Sequence, residues 1–270
     1  LVKRRWRDDR EVFFKHRSGA RPESYVFEAA GLGWLQDAHT DYGGCPVPWV
    51  RDVGSDHLAL DFVSTAVPTI DAARSFGAQL ARTHQAGAEA FGELPPNATV
   101  AFIADLPLME GTWETFGSFY AQARIRPLAE LANNRRALMA IEHAIIMELA
   151  EQLETEDPHL LGPPEPIARL HGDLWSGNVL WRKHDCVLID PSAHGGHRES
   201  DLAMLALFGI PYLDEVLESY NLEWPLAPGW RNRVSLHQVY PLLVHAILFG
   251  GSYGSAAADA ARSALANGSA

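Results

Sequence analysis

The stretch His171-Gly-Asp-Leu-Trp-Ser-Gly-Asn178 decides the fold of this 270-residue chain, because it sets three polar side chains at fixed intervals. Two short apolar runs follow, 178–182 and 186–190, and the second ends on a further acid, Asp190. Both are bounded by turn residues and read as strands. A carboxylate beside a hydroxyl can accept its proton, while an amide oxygen and a second carboxylate offer hard oxygen ligands to Mg²⁺. Asp173, Asn178 and Asp190 supply those groups, at the His-x-Asp-x-x-x-x-Asn spacing that phosphoryl transfer uses. His171 reads as a structural hydrogen-bonding residue of the loop, since Asp173 already fills the acceptor-orienting position. Downstream, Asp201 opens a helical stretch. It caps that helix or accepts backbone hydrogen bonds from the loop, and the two roles can coexist.

Working back toward the N-terminus, Lys15 ends the β-branched and aromatic run Val12-Phe-Phe-Lys15, and Glu28 lies on a helical pattern over 25–38. Their order matches a lysine that holds ATP phosphates and a helix glutamate that pairs with it. Leu60, Asp61, Phe62 and Val63 form the strand leading into the second half and occupy the place of a hinge whose backbone bonds adenine. They would serve equally as ordinary core. Residues 2–17 suggest a hairpin around the charged turn Arg7-Asp-Asp-Arg10, Pro22-Glu-Ser24 breaks the chain, and 47–50 and 58–63 read as strands. After Thr65 helical periodicity takes over, at 70–85, 133–156, 199–220 and 234–249, and the last 20 residues, rich in Ala, Ser and Gly, read as a low-complexity segment that ends in a frayed tail. The expected class is therefore α+β and bilobal: a small antiparallel-sheet lobe with one main helix over residues 1–63, and a larger, mainly helical lobe over 64–270.

Composition fits a globular protein, with 47% hydrophobic and 21% charged residues. A formal charge of −12 opposes nucleic-acid binding, the basic cluster Lys3, Arg4, Arg5, Arg7 and Arg10 reading as a solvated strand face. Cys45 and Cys186, far apart and with no metal-ligand spacing, suggest free thiols in a reducing cytoplasm. No apolar run approaches the roughly 20 residues of a membrane helix.

Longer strings carry a family resemblance. Phe14-Lys15, Glu28-Ala-Ala-Gly-Leu32, Pro46-Val-Pro48, Asp173-Leu-Trp-Ser-Gly-Asn178, Ile189-Asp-Pro191, Gly196-His-Arg-Glu199 with Asp201-Leu-Ala-Met204, and Phe249-Gly-Gly251 resemble the fructosamine (ketosamine) kinases. Those are relatives of aminoglycoside and choline phosphotransferases with a protein-kinase-like fold. The resemblance, over about residues 1–260, implies ATP-dependent phosphorylation of the 3-hydroxyl of a ketose attached through an amine, the product then decomposing to free the amine. It implies ATP and Mg²⁺ as cofactors, a small-molecule or protein-attached ketosamine as substrate, and no membrane or nucleic-acid partner. By the same resemblance Asp173 is the catalytic base, Asn178 and Asp190 hold Mg²⁺, Lys15 anchors phosphate and Glu28 positions Lys15. Trp175 offers an apolar face to the sugar or simply packs, and His197 and Arg198 contact substrate or serve an ion pair within the loop. The family also carries a first strand and a Gly-containing nucleotide loop ahead of the strand at Val2, so the sequence starts too late to contain them. At His194-Gly195 the family has bulkier aromatic residues, which implies a different substrate fit there. An aminoglycoside or other amino-sugar kinase and a non-catalytic nucleotide-binding pseudokinase are the competing readings.

Overall fold

The computed structural model describes residues 2–7, 10–16 and 21–268, the side chains of 2–7, 10 and 22 excepted. Strands β1 (Val2–Arg7) and β2 (Arg10–His16) pair antiparallel with Arg7 opposite Arg10. Asp8 and Asp9 of the expected turn, and the side chains of the basic cluster, lie outside the described residues. Helix α1 (Pro22–Tyr42) follows, then β3 (Val50–Val53) and β4 (His57–Asp61), giving one antiparallel sheet in the order β1-β2-β4-β3. Pro22 does not break the chain ahead of the helix. It occupies the first turn, where its fixed φ suits a helix and its missing N–H costs nothing. The helix then runs past the expected 38 until Gly43, at φ 70°, turns it off with a left-handed cap. The strand expected at 47–50 begins only at Val50, because Pro46 and Pro48 have no N–H to give a ladder.

The C-terminal part opens with α2 (Ile70–Gln85), whose Thr69 caps the N–H of Ala72, and a hairpin of β5 (Ala101–Ile103) and β6 (Leu106–Leu108). Next come α3 (Phe116–Phe119), a π-helical turn at Tyr120–Ile125, α4 (Arg126–Asn134), α5 (Ala140–Leu153) and α6 (Pro158–Leu161). The single helix expected over 133–156 is thus two. Arg136, at φ 57°, reverses the chain, and the Glu142 carboxylate accepts the Met139 N–H at 2.8 Å to start α5. The 171–178 segment lies between β7 (Ala168–Leu170) and the hairpin of β8 (Val179–Trp181) and β9 (Cys186–Leu188), and β10 (His194–Gly196) returns to pair with β7.

Helices α7 (Glu199–Phe208), α8 (Leu213–Glu223), α9 (Trp230–Phe249) and α10 (Tyr253–Gly268) complete the chain. Gly209 and Pro211 interrupt the helix expected over 199–220. The segment expected to be low-complexity forms α10, and the frayed end expected after it lies outside the described residues. In α10, Gly254, Ala257, Ala258, Ala261 and Ala264 are buried at helical spacing, letting it pack closely on α9 and α5.

Two apolar clusters hold the fold. One gathers α3 to α5 with α9 and α10. The other joins Leu32 and Leu35 of α1 and Leu58 and Leu60 of β4 to Phe76 and Leu80 of α2 and to β8 and β9. The sheet therefore shares its core with the elements that present the 171–178 segment. Cys45 and Cys186 are buried in it as free thiols. No helix among the described residues is long and apolar enough to cross a membrane. Phe76, fully buried and edge-on to Trp181 of β8 at 5.9 Å, is the pin between α2 and that hairpin. Phe76→Ala is expected to lower unfolding stability by about 3–5 kcal/mol, read from urea denaturation, because the site is enclosed on all sides and cannot collapse.

Candidate active site

The turn at His171–Asp173 is built on backbone hydrogen bonds. Asp201 receives the N–H groups of His171 at 2.8 Å and Gly172 at 3.0 Å, and its Oδ2 lies 3.2 Å from Nε2 of His84. Asp201 sits in the first turn of α7, where a cap was one expectation, but its carboxylate is spent on the loop. Burial, the largest influence, disfavours its charge, yet the bonds from His84 and His171 outweigh it and hold the carboxyl below its usual range. Gly172 adopts φ +79°, and a Cβ there would meet the carbonyl of Ser192 at 2.0 Å, so no side chain fits. His171 Nδ1 accepts the Asp173 N–H at 3.3 Å and Nε2 faces the carbonyl of Ile189 at 2.9 Å, the pattern of a neutral imidazole carrying its proton on Nε2. Burial lowers its pKa, which keeps it neutral and in the structural role read from the sequence.

From this turn Asp173 projects half-buried into a cleft, where the Asn178 amide nitrogen donates to its backbone oxygen at 2.8 Å and its Oδ2 at 3.1 Å. That leaves the Asn178 amide oxygen as its acceptor end. Across the cleft, Lys15 on β2 bonds Glu28 of α1 at 2.6 Å and also Asp190, beyond the end of β9. Burial, the largest influence, opposes the lysine charge, but the two carboxylates outweigh it and raise the Lys15 pKa. Burial raises Glu28, partly offset by Lys15. Burial pushes the Asp173 carboxyl up to about 7, with Asn178 opposing and Asp190 and Asp201 adding to the rise. The cleft, about 440 Å³, is lined by all five of these residues and by Trp175. Its lining brings the carboxylates of Glu28, Asp105, Asp173 and Asp190 and the Asn178 amide oxygen together with one lysine, a hard oxygen donor set that fits Mg²⁺.

A sequence model of a family described as Fructosamine kinase matches residues 2–267. This chain belongs to that family. A candidate ketoamine kinase of Enterococcus faecium is 33% identical over 184 residues, a match covering 67% of this chain and 63% of that protein, so the chain spans less than two thirds of that relative. The crystal structure of a candidate fructosamine-3-kinase from Thermobifida fusca superposes with a TM-score of 0.88 at 43% identity, covering 98% of this chain and 93% of the other. A macrolide 2′-phosphotransferase from Brachybacterium faecium, at 17% identity, covers 96% of this chain and 87% of its own with a TM-score of 0.58. That likeness speaks for the fold alone. The fold is protein-kinase-like, with a small antiparallel-sheet N-terminal part and a helical C-terminal part.

Against that family frame, the remaining expected residues fall into three groups. Leu60, Asp61, Phe62 and Val63 line a second cavity of about 250 Å³, mostly apolar, which meets the cleft at Lys15 and Asp190. The Asp61 side chain is taken by a two-pronged bond to Arg51, 2.6 Å on each arm, so this stretch offers its backbone. Trp175, 42% exposed, lines the cleft, as a sugar platform requires. His197 and Arg198 do not line it. Both are buried: Arg198 grips Glu165 through two bonds of 2.6 and 2.5 Å over the Trp224 ring, and His197 packs on Phe116 and His237. They hold the scaffold beneath the site, the ion-pair alternative for Arg198. Gly195 is turned away from the cleft too, since a Cβ there would meet the Ala90 carbonyl at 2.2 Å; the missing aromatic is excluded by the 88–93 segment.

Sequence reading missed His84 as the partner of Asp201, and Tyr220, whose hydroxyl lies 2.8 Å from His84 Nδ1. His84 lies within the helical stretch 70–85, and nothing local links it to a residue so far along the chain. Asp201→Asn replaces one of two acceptors with a donor facing backbone N–H groups. It is expected to cost about 2–3 kcal/mol. Because the folded state depresses Asp201, its contribution is complete above the ordinary carboxylate range and fades as pH falls through the folded-state value. Denaturation of both proteins across pH should show the difference between them shrinking in acid.

Proposed function

We propose that this chain is an ATP-dependent ketosamine kinase, phosphorylating the 3-hydroxyl of a ketose attached through an amine. Residues 1–63 act as the nucleotide-binding lobe and 64–270 as the catalytic and substrate-binding lobe. The observation that carries the reading is the convergence, in one cleft, of the Lys15–Glu28 pair with Asp173, Asn178 and Asp190. Lys15 keeps Glu28 as its anchor and turns from Asp190 to the α- and β-phosphates, and the backbone of 60–63 receives adenine in the adjoining apolar cavity. Asn178 Oδ1 and Asp190 hold the magnesium, which when bound neutralises charge on the triphosphate. Asp173 orients the sugar hydroxyl and accepts its proton as the oxygen–γ-phosphorus bond forms and the bond from that phosphorus to the ADP oxygen breaks, ADP leaving. Trp175 presents its face to the sugar. The buried free thiols and the charge of −12 support a reducing, cytoplasmic setting without nucleic-acid partners.

The test is a panel of acceptors, fructosylated, ribulosylated and erythrulosylated lysine beside aminoglycosides, offered with ATP and Mg²⁺. Turnover confined to ketosamines is expected; turnover of aminoglycosides alone would overturn the substrate class. Asp173→Asn should lower kcat by about 10²-fold or more while nucleotide affinity is retained. Asp173 must be ionised to accept a proton, and in the ligand-free cleft its carboxyl titrates at about 7. The kcat/KM profile should therefore fall on the acidic side with a limb near that value. The limb in kcat should lie lower, because bound magnesium favours the carboxylate.

A further inference from the structure

Arg124 is a buried cation without a counter-ion. It is 2% exposed, and among the described residues no carboxylate pairs with it. Nη1 reaches only backbone carbonyls, of Met109 at 3.4 Å and Ala123 at 3.2 Å, and the guanidinium lies 4.6 Å from the Phe119 ring centroid and 5.8 Å from that of Tyr240. Its Nε–H has no partner, and neither has the buried hydroxyl of Tyr240. Both side chains line the same small cavity of about 20 Å³ behind the catalytic loop, whose walls include Gly172 and Asp201. Two donors without partners therefore belong to side chains that wall one cavity, where buried polar groups are ordinarily satisfied. Arg124 is carried there by the π-helical turn at Tyr120–Ile125, a widened helix geometry that tends to mark functional positions.

We propose that this cavity is a binding site for a single monatomic anion, chloride, held by the Nε–H of Arg124 and the hydroxyl of Tyr240. The space admits one small occupant. A water would accept both hydrogen bonds but leave the guanidinium charge uncompensated; a halide does both tasks at once. Asp201 also lines the cavity, but both of its oxygens are engaged by the His171 and Gly172 N–H groups and by His84, donors that offset its charge on that side. His237 also lines the cavity, and its unpartnered Nε2 lies 3.4 Å from Glu199 Oε2, toward the Arg233 side. The occupant stiffens the catalytic loop from behind, at Gly172, so chloride should raise turnover as well as stability.

Two readouts on the full chain test the site without relying on the kinase reading. In the first, thermal unfolding is followed while chloride replaces gluconate at constant ionic strength. The melting temperature should rise and saturate in the native protein. In Tyr240→Phe, which keeps the ring and removes only the hydroxyl, half-saturation should require roughly tenfold more chloride, the size of one hydrogen bond to a charged group. In the second, crystals soaked in bromide should show an anomalous peak between Arg124 and Tyr240. A melting temperature indifferent to chloride together with no bromide peak, the cavity holding water only, would overturn the proposal.

Discussion

One buried carboxylate organises the site. Asp201 is drawn out of water into the base of the C-terminal part, where an unpaired charge would be intolerable, and it is tolerated because two consecutive backbone N–H groups and an imidazole face it. Those N–H groups belong to the turn that carries Asp173, so the demand to satisfy a charge becomes a fixed backbone path. The turn in turn requires glycine at 172, and His171 closes it by bridging to Ile189 next to Asp190. Asp173 and Asp190 are thereby tied to one another through the imidazole ring.

Two further buried ion pairs carry the same logic outward. Glu165 meets Arg198, and Glu199 meets Arg233 of α9 with bonds of 2.9 and 2.5 Å, so residues at the start of α7 reach both the segment before β7 and the helix packed behind it. Such pairs add little net stability compared with apolar packing, but a wrong partner would strand a charge, which makes the arrangement specific. The Gly-His-Arg-Glu string is thus a scaffold string. Arg124 departs from this rule, and that departure is what makes its cavity informative.

What could be seen in the sequence follows from range. His171, Asp173, Asn178 and Asp190 lie within twenty residues, and the loop chemistry forces their spacing, so they were legible at once. Lys15 and Glu28 are ordinary residue types and became legible only through their order along the chain, strand then helix. His84 and Arg124 could not be reached this way: their significance lies in what stands opposite them, and their partners or lack of partners are set by tertiary packing. The last helix was misread for another reason. Its alanines and glycine look like low-complexity sequence, yet at a spacing of three and four they are the condition for close helix contact. Strand 47–50 failed locally, since Pro48 cannot join a ladder, and the choice between substrate contact and an ion pair stayed open for His197 and Arg198 because polarity in a string says nothing about burial.

The crowding of carboxylates around Lys15 has a thermodynamic corollary. A cleft whose Asp173 titrates at about 7 stands, at neutral pH, partly protonated before anything arrives. A divalent cation entering among those oxygens favours the charged form, and the displaced proton passes to the solvent. In the proposed reaction, nucleotide–metal binding is also an acid release. The heat measured on mixing then depends on the ionisation enthalpy of the buffer, and apparent affinity climbs with pH through the range where Asp173 gives up its proton.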